Sequence, residues 1–195
     1  MKTPLRLSVL ICAVGDRMYK AAQLYHHLNA SSWGCFNGEY EILMLMDNRK
    51  RSIGLKRQAL LDVARGDYVC FVDDDDEVSY EFLSLILQAM HDDKDQAPVF
   101  TFPTLCVSKE HGSMRVEHSL RYENEEARLP SFTRKPWFMH PIRRVYAKTS
   151  IFPDKNWGED QVWLENLWPL MASEHVVTHH PLYTYHWNDN KESSE

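Results

Sequence analysis

The sequence predicts an α/β fold, with a mixed, mainly parallel sheet flanked by helices. Three observations carry that reading. Apolar runs at residues 7–14, 41–46 and 68–72 are continuous instead of alternating, as expected of strands covered on both faces. Segments of helical composition separate them, the βαβ pattern of a doubly wound sheet. Polar residues collect directly after each run, at 13–17, 47–51 and 73–77, where sheets of this kind bind their ligands.

The elements follow in order. Residues 7–14 (LSVLICAV) read as the first strand, interrupted only by Ser8. Residues 17–30 suit a helix, and 41–46 form the second strand. A helix over 52–65 has Ser52 as its N-cap and Gly66 as its stop. Residues 68–72 make the third strand. A helix over 80–90, a strand over 99–107 and an irregular polar stretch over 108–134 come next. Another helix starts at Gly158 and runs to about residue 171, with Pro169 in its last turn, and a strand closes the domain over 182–187. The tail, 188–195, is expected to fray.

Composition narrows the class. A chain of 195 residues fits one domain, and 44% hydrophobic with 12% aromatic residues opposes disorder. The net charge of −6 disfavours wrapping of nucleic acid by bulk charge. Cys12, Cys35, Cys70 and Cys106 form no Cys-x-x-Cys pair, which predicts buried free thiols in a reducing compartment. The apolar run at the N-terminus is too short to span a bilayer, so a soluble, cytoplasmic protein with no membrane span is expected.

Five consecutive acids, Asp73-Asp74-Asp75-Asp76-Glu77, follow the third strand. Carboxylates so close raise one another's pKa unless a cation sits among them. Their oxygens suit Mg2+ or Mn2+. A solvated acidic turn capping the next helix is the plainer reading, and the apolar strand ahead weighs against it. An EF-hand fits badly because its glycine and glutamate positions are missing, and a dehalogenase-type phosphatase fits badly because Glu77 stands two residues beyond the Asp-x-Asp and the cluster follows the third strand, not the first.

Taken together, five segments resemble the nucleotide-sugar glycosyltransferases of family 2, with their GT-A fold. They are the opening strand Ser8-Val9-Leu10-Ile11, Asp47-Asn48, Gly54 to Gln58 leading into Ala64-Arg65-Gly66-Asp67-Tyr68, and Phe71 to Asp76, followed by Trp157-Gly158-Glu159-Asp160. The resemblance covers most of residues 6–187 and implies one GT-A-like domain over 1–187, with 188–195 as a flexible tail. Its nucleotide-binding half spans about 1–107 and its acceptor-side half about 108–187.

The resemblance implies a metal-dependent, inverting transfer of a sugar from a nucleoside-diphosphate sugar, with UDP favoured, to an acceptor hydroxyl. Asp160 is then the general base, with Glu159 orienting it or touching the sugar. Ala13, Gly15, Asp47, Arg57, Asp73 and Asp74 fall on the donor side. Asp75 and Asp73, with His186 of the closing strand, are the ligands expected for Mn2+ or Mg2+. Trp157, His140, Arg143 and Arg144 are candidates for the acceptor or diphosphate. A glycan or lipid-linked saccharide is the favoured acceptor; a protein or a hydroxymethylated DNA base, such as some compact phage enzymes modify, is less favoured. Two readings from other classes compete: a metal-dependent phosphotransfer enzyme or hydrolase built on Asp73–Asp76, and a non-catalytic nucleotide-sugar-binding protein. The first strand ends in Ala13-Val14-Gly15-Asp16-Arg17 where the family commonly has Pro-x-Tyr-Asn.

Overall fold

A computed structural model describes residues 4–31, 36–110 and 112–187. Cys35 and the tail 188–195 lie outside these described residues. The strands in chain order are β1 (Leu7–Val14), β2 (Tyr40–Asp47), β3 (Tyr68–Asp73), β4 (Glu77–Val78), β5 (Phe100–Thr101), β6 (Thr104–Ser108), β7 (Gly112–His118), β8 (Ser131–Arg134), β9 (Ile142–Arg143), β10 (His175–Val176) and β11 (Tyr183–His186). The helices are α1 (Met18–Ser31), α2 (Ile53–Val63), α3 (Phe82–Asp92), α4 (Arg144–Ala147) and α5 (Glu159–Leu167).

The first sheet has the order β2-β1-β3-β9. β1 is parallel to both β2 and β3, and β9 adds an antiparallel edge. Every residue of β1 is buried, and β3 is buried as far as Val72, which explains their unbroken apolar sequences. Register sets up the site: Val14 pairs with Asp47, and Cys12 with Asp73. The carboxyl ends of three strands, and the polar residues after them, therefore meet on one edge.

A second sheet has the order β4-β11-β6-β7-β8, and β5 pairs with β10. Phe71, Phe152 and Trp163 lock α5 onto the first sheet, with Phe152 and Trp163 stacked at 4.6 Å. The Trp163 indole also donates to the Ala147 carbonyl, so it is core. Cys12, Cys70 and Cys106 are buried. Among the described residues, no helix is long and apolar enough to cross a membrane.

Several elements differ from the sequence expectation. The strand expected over 99–107 is two strands, β5 and β6, because Pro103 between them has no N–H to give a ladder. The stretch expected to be irregular, 108–134, contains β7 and β8. The last long helix ends at Leu167, and Pro169 sits in a 3-10 turn over Trp168–Leu170. Ser52 caps α2 as expected, its hydroxyl accepting from the Leu55 N–H. That helix stops at Val63, so Gly66 is not its terminator. A Cβ on Gly66 would lie 2.5 Å from the Ser8 nitrogen, and the glycine instead allows close approach to β1.

Candidate active site

The end of β3 carries a layered set of ion pairs. Arg57 of α2 is 2% exposed; its Nη2 donates to both oxygens of Asp73 at 3.0 and 3.2 Å, and its Nε lies 3.2 Å from Glu159. The guanidinium also packs over the Phe138 ring at 4.1 Å. The sequence places Arg57 on the donor side; the structure commits it to two buried carboxylates. It thereby joins the aspartate cluster to the Glu-Asp motif about 85 residues further on.

The other acids are also partnered. Asp74 accepts from the Val14 N–H and pairs with Arg17 at 2.6 Å, and Asp75 pairs with the same guanidinium. Asp76 accepts from the Tyr183 hydroxyl at 2.6 Å and the His186 N–H at 2.9 Å. Burial raises the pKa of Asp73, Asp74 and Glu159, opposed in Asp73 and Glu159 by Arg57, and pushes Asp76 up to about 8.

Asp47 closes β2. Its Oδ1 accepts from the Arg49 N–H and lies 3.3 Å from Lys56 Nζ, which also donates to the Ala13 carbonyl. Its Oδ2 is buried with no hydrogen-bond partner among the described residues. Gly15 faces Asn48 so closely that a Cβ would lie 2.7 Å from the amide oxygen.

Beside this edge lies a cavity of about 300 Å3, walled by β6, β7, β8 and β11 on one side and by the start of α5 on the other. Asp73 and Asp160 both line it. Gly158, at φ 68°, takes the left-handed conformation that starts α5. Asp160 stands in the first turn; its Oδ2 accepts from the Trp137 indole N–H at 2.9 Å and its Oδ1 from the Gln161 N–H at 2.8 Å. Each oxygen keeps a further lone pair. Trp157, 81% exposed, lines the same cavity, as do Tyr185 and Arg134.

Other expected site residues lie elsewhere. Asp75 lines a second recess, of about 330 Å3, with Lys20, Gln23 and His27. The His186 imidazole sits 3.2 Å from Glu77 and does not join Asp73 and Asp75. His140 is fully buried between Phe102 and His118, with ring centroids at 4.6 and 4.4 Å, and does not line the cavity. Arg143 donates to Gln96, and Arg144 to the Gly66 carbonyl, at the opposite end of β3 from the aspartates.

Among the described residues, no three His, Cys, Asp or Glu side chains are arranged to hold a metal ion. The donor chemistry nevertheless fits one. Mg2+ is commonly held by one or two carboxylates plus substrate phosphates and water, so a three-residue cage is not required. Asp75 is a third exposed, and the cation beside it is the equally exposed Arg17, which stands where an ion would relieve the repulsion.

The family profile described as "Glycosyl transferase family 2" matches residues 36–168, more than half of the chain. The chain belongs to glycosyl transferase family 2. A search of curated proteins finds no match for this family 2 chain. Among solved structures it is similar to S. aureus TarS 1–349 in complex with UDP-GlcNAc, with a TM-score of 0.67 and 14% identity over 96% of this chain and 60% of that one. It is similar also to TarS 1–349 (0.67, 17%, 93% and 60%) and to TarS 1–349 in complex with UDP (0.66, 14%, 94% and 61%). The family 2 chain thus spans about three fifths of these TarS chains, and the likeness establishes the shared GT-A-type fold.

Proposed function

We propose that this chain transfers a sugar, with inversion, from a nucleoside-diphosphate sugar to an acceptor hydroxyl. The observation that carries the reading is the shared cavity of Asp73, at the end of β3, and Asp160, at the start of α5. The donor nucleotide lies along the ends of β1, β2 and β3, where the Oδ2 of Asp47, without a partner among the described residues, accepts a base N–H. UDP is favoured, since TarS chains of the same fold are seen with UDP and UDP-GlcNAc.

Asp160 takes the acceptor proton as the hydroxyl oxygen attacks the anomeric carbon, and the bond to the nucleoside diphosphate breaks on the opposite face. Trp137 and the helix start fix the direction of that carboxylate. Glu159, turned away toward Arg57, positions Asp160 through the first turn of α5. Asp75, which is a third exposed, would hold Mg2+ or Mn2+ for the diphosphate, and that ion would supply Lewis-acid neutralisation of the departing charge, while Asp73 stays paired with Arg57. Trp157 offers a face for a sugar ring. A glycan or lipid-linked saccharide is the favoured acceptor, and the buried thiols support a reducing, cytoplasmic setting.

A thermal-shift panel of UDP, GDP, CDP, ADP and dTDP, each with and without Mn2+, tests the donor reading. Stabilisation by one nucleoside diphosphate, larger with Mn2+, is the expected outcome. No stabilisation by any of them, together with phosphate release from simple esters, would favour the metal-dependent hydrolase.

A further inference from the structure

The cavity contains a charged group that the transfer step does not use. Arg134 ends β8, and its guanidinium lies over the Phe132 ring at 5.3 Å and the Trp137 ring at 5.1 Å. Its Nε is buried without a hydrogen-bond partner among the described residues. No carboxylate among the described residues forms an ion pair with it, whereas Arg57 and Arg17 each hold two. A half-buried cation against aromatic rings loses hydration and recovers only part of it from them. A ligand anion would complete its hydrogen bonding, and the planar fork of arginine suits the two oxygens of a carboxylate or phosphate.

Position indicates which ligand brings that anion. Trp137 links the two groups: its N–H holds Asp160, and its face carries Arg134, so the cation and the base stand one indole apart. Of the donor-side residues, Asp73 and Arg57 reach this cavity, where they are paired with each other, while Asp47, Asp74 and Asp75 do not line it; Trp157, Tyr185 and Arg134 line it on the side of Asp160. Resting on the glycosyltransferase reading, we propose that Arg134 binds an acidic substituent, carboxylate or phosphate, on the acceptor sugar. The chain thereby selects anionic acceptors, with the sugar ring against the aromatic faces and its reactive hydroxyl toward Asp160.

The test is a ligand-observed NMR titration of glucose, glucuronate and glucose 6-phosphate, at physiological salt, against the native chain, Arg134→Gln and Arg134→Lys. UDP is titrated into the same three proteins. The expected result is that at least one charged sugar binds the native chain about tenfold more tightly than glucose. Arg134→Gln abolishes that preference, Arg134→Lys keeps part of it, and UDP binds all three alike. Arg134→Gln is expected to melt close to the native chain, because the loss of two ring contacts is offset by removal of a charge with no ion-pair partner among the described residues. Equal binding of charged and neutral sugars by the native chain overturns the proposal, as does a preference that survives in Arg134→Gln. A loss of UDP affinity in Arg134→Gln overturns it too, by assigning the guanidinium to the donor diphosphate. Failure of UDP to bind the native chain counts against the glycosyltransferase reading, while the sugar titrations still decide the anion site.

Discussion

Arg57 donates from Nη2 to Asp73 and lies with Nε against Glu159, so removing its guanidinium strands two buried carboxylates at once. Arg57→Met is expected to cost about 3–5 kcal/mol, read as a lower urea midpoint, because breaking a buried pair leaves uncompensated charge. Arg57→Lys should recover only part of this, since one ammonium cannot reproduce the fork. A midpoint within about 0.5 kcal/mol of native for Arg57→Met would contradict the linking role. Asp73 and Asp160 were legible in the sequence because each sits in a short acidic motif at an element boundary. The partner of Arg57 was not, since helix position does not reveal which carboxylates the fold brings to a cation. Arg134 carried no motif at all; only the pairing of β7 with β8 and the packing of Trp137 reveal it.

Between elements, α2 docks on the segment ahead of α5. The Gly54 N–H donates to the Lys155 carbonyl, the Ile53 N–H to Asn156, and Gln58 accepts from the Phe152 N–H. A Cβ on Gly54 would lie 1.9 Å from the Pro153 carbonyl oxygen, which is backbone and cannot swing aside. Gly54→Ala gains about 1 kcal/mol of helix propensity, yet overpacking of about 1–3 kcal/mol or more outweighs it. A lower melting temperature and weaker donor turnover are expected; an unchanged melting temperature would contradict the docking. The packing of β7 against the 137–141 segment gives a pH signature. Burial holds His140 down to about 4 and His118 well below its ordinary value. Below pH 6.5 the unfolded chain takes up protons that the folded chain refuses, so this contribution to stability is full above pH 6.5 and falls toward pH 4. His140 alone accounts for about 3 kcal/mol of that fall. The difference between native and His140→Gln urea midpoints should therefore narrow between pH 7 and pH 4.5; a constant difference would contradict it. Strands β1 and β3 were readable because they are covered on both faces. The charged outward residues of β7, Arg115 and Glu117, hid the inward alternation of Met114 and Val116, and β8 was too short to register.

Across the whole molecule, the parallel register of the first sheet gathers Asp47, Asp73 and the β1 end, while the second sheet and α5 enclose the cavity beside them. That division was legible in outline, since parallel sheets place ligands beyond their strand ends. Which side of the acidic cluster each carboxylate faces was not, because neighbouring residues of a turn diverge: Asp73 enters the cavity and Asp75 the recess beside α1. Measuring nucleoside-diphosphate release and donor affinity for the native chain and Asp160→Asn tests whether Asp160 is the general base. Donor affinity should stay within about twofold of native and turnover fall by about 100-fold or more, as expected on losing a general base. Turnover that survives in Asp160→Asn would contradict it.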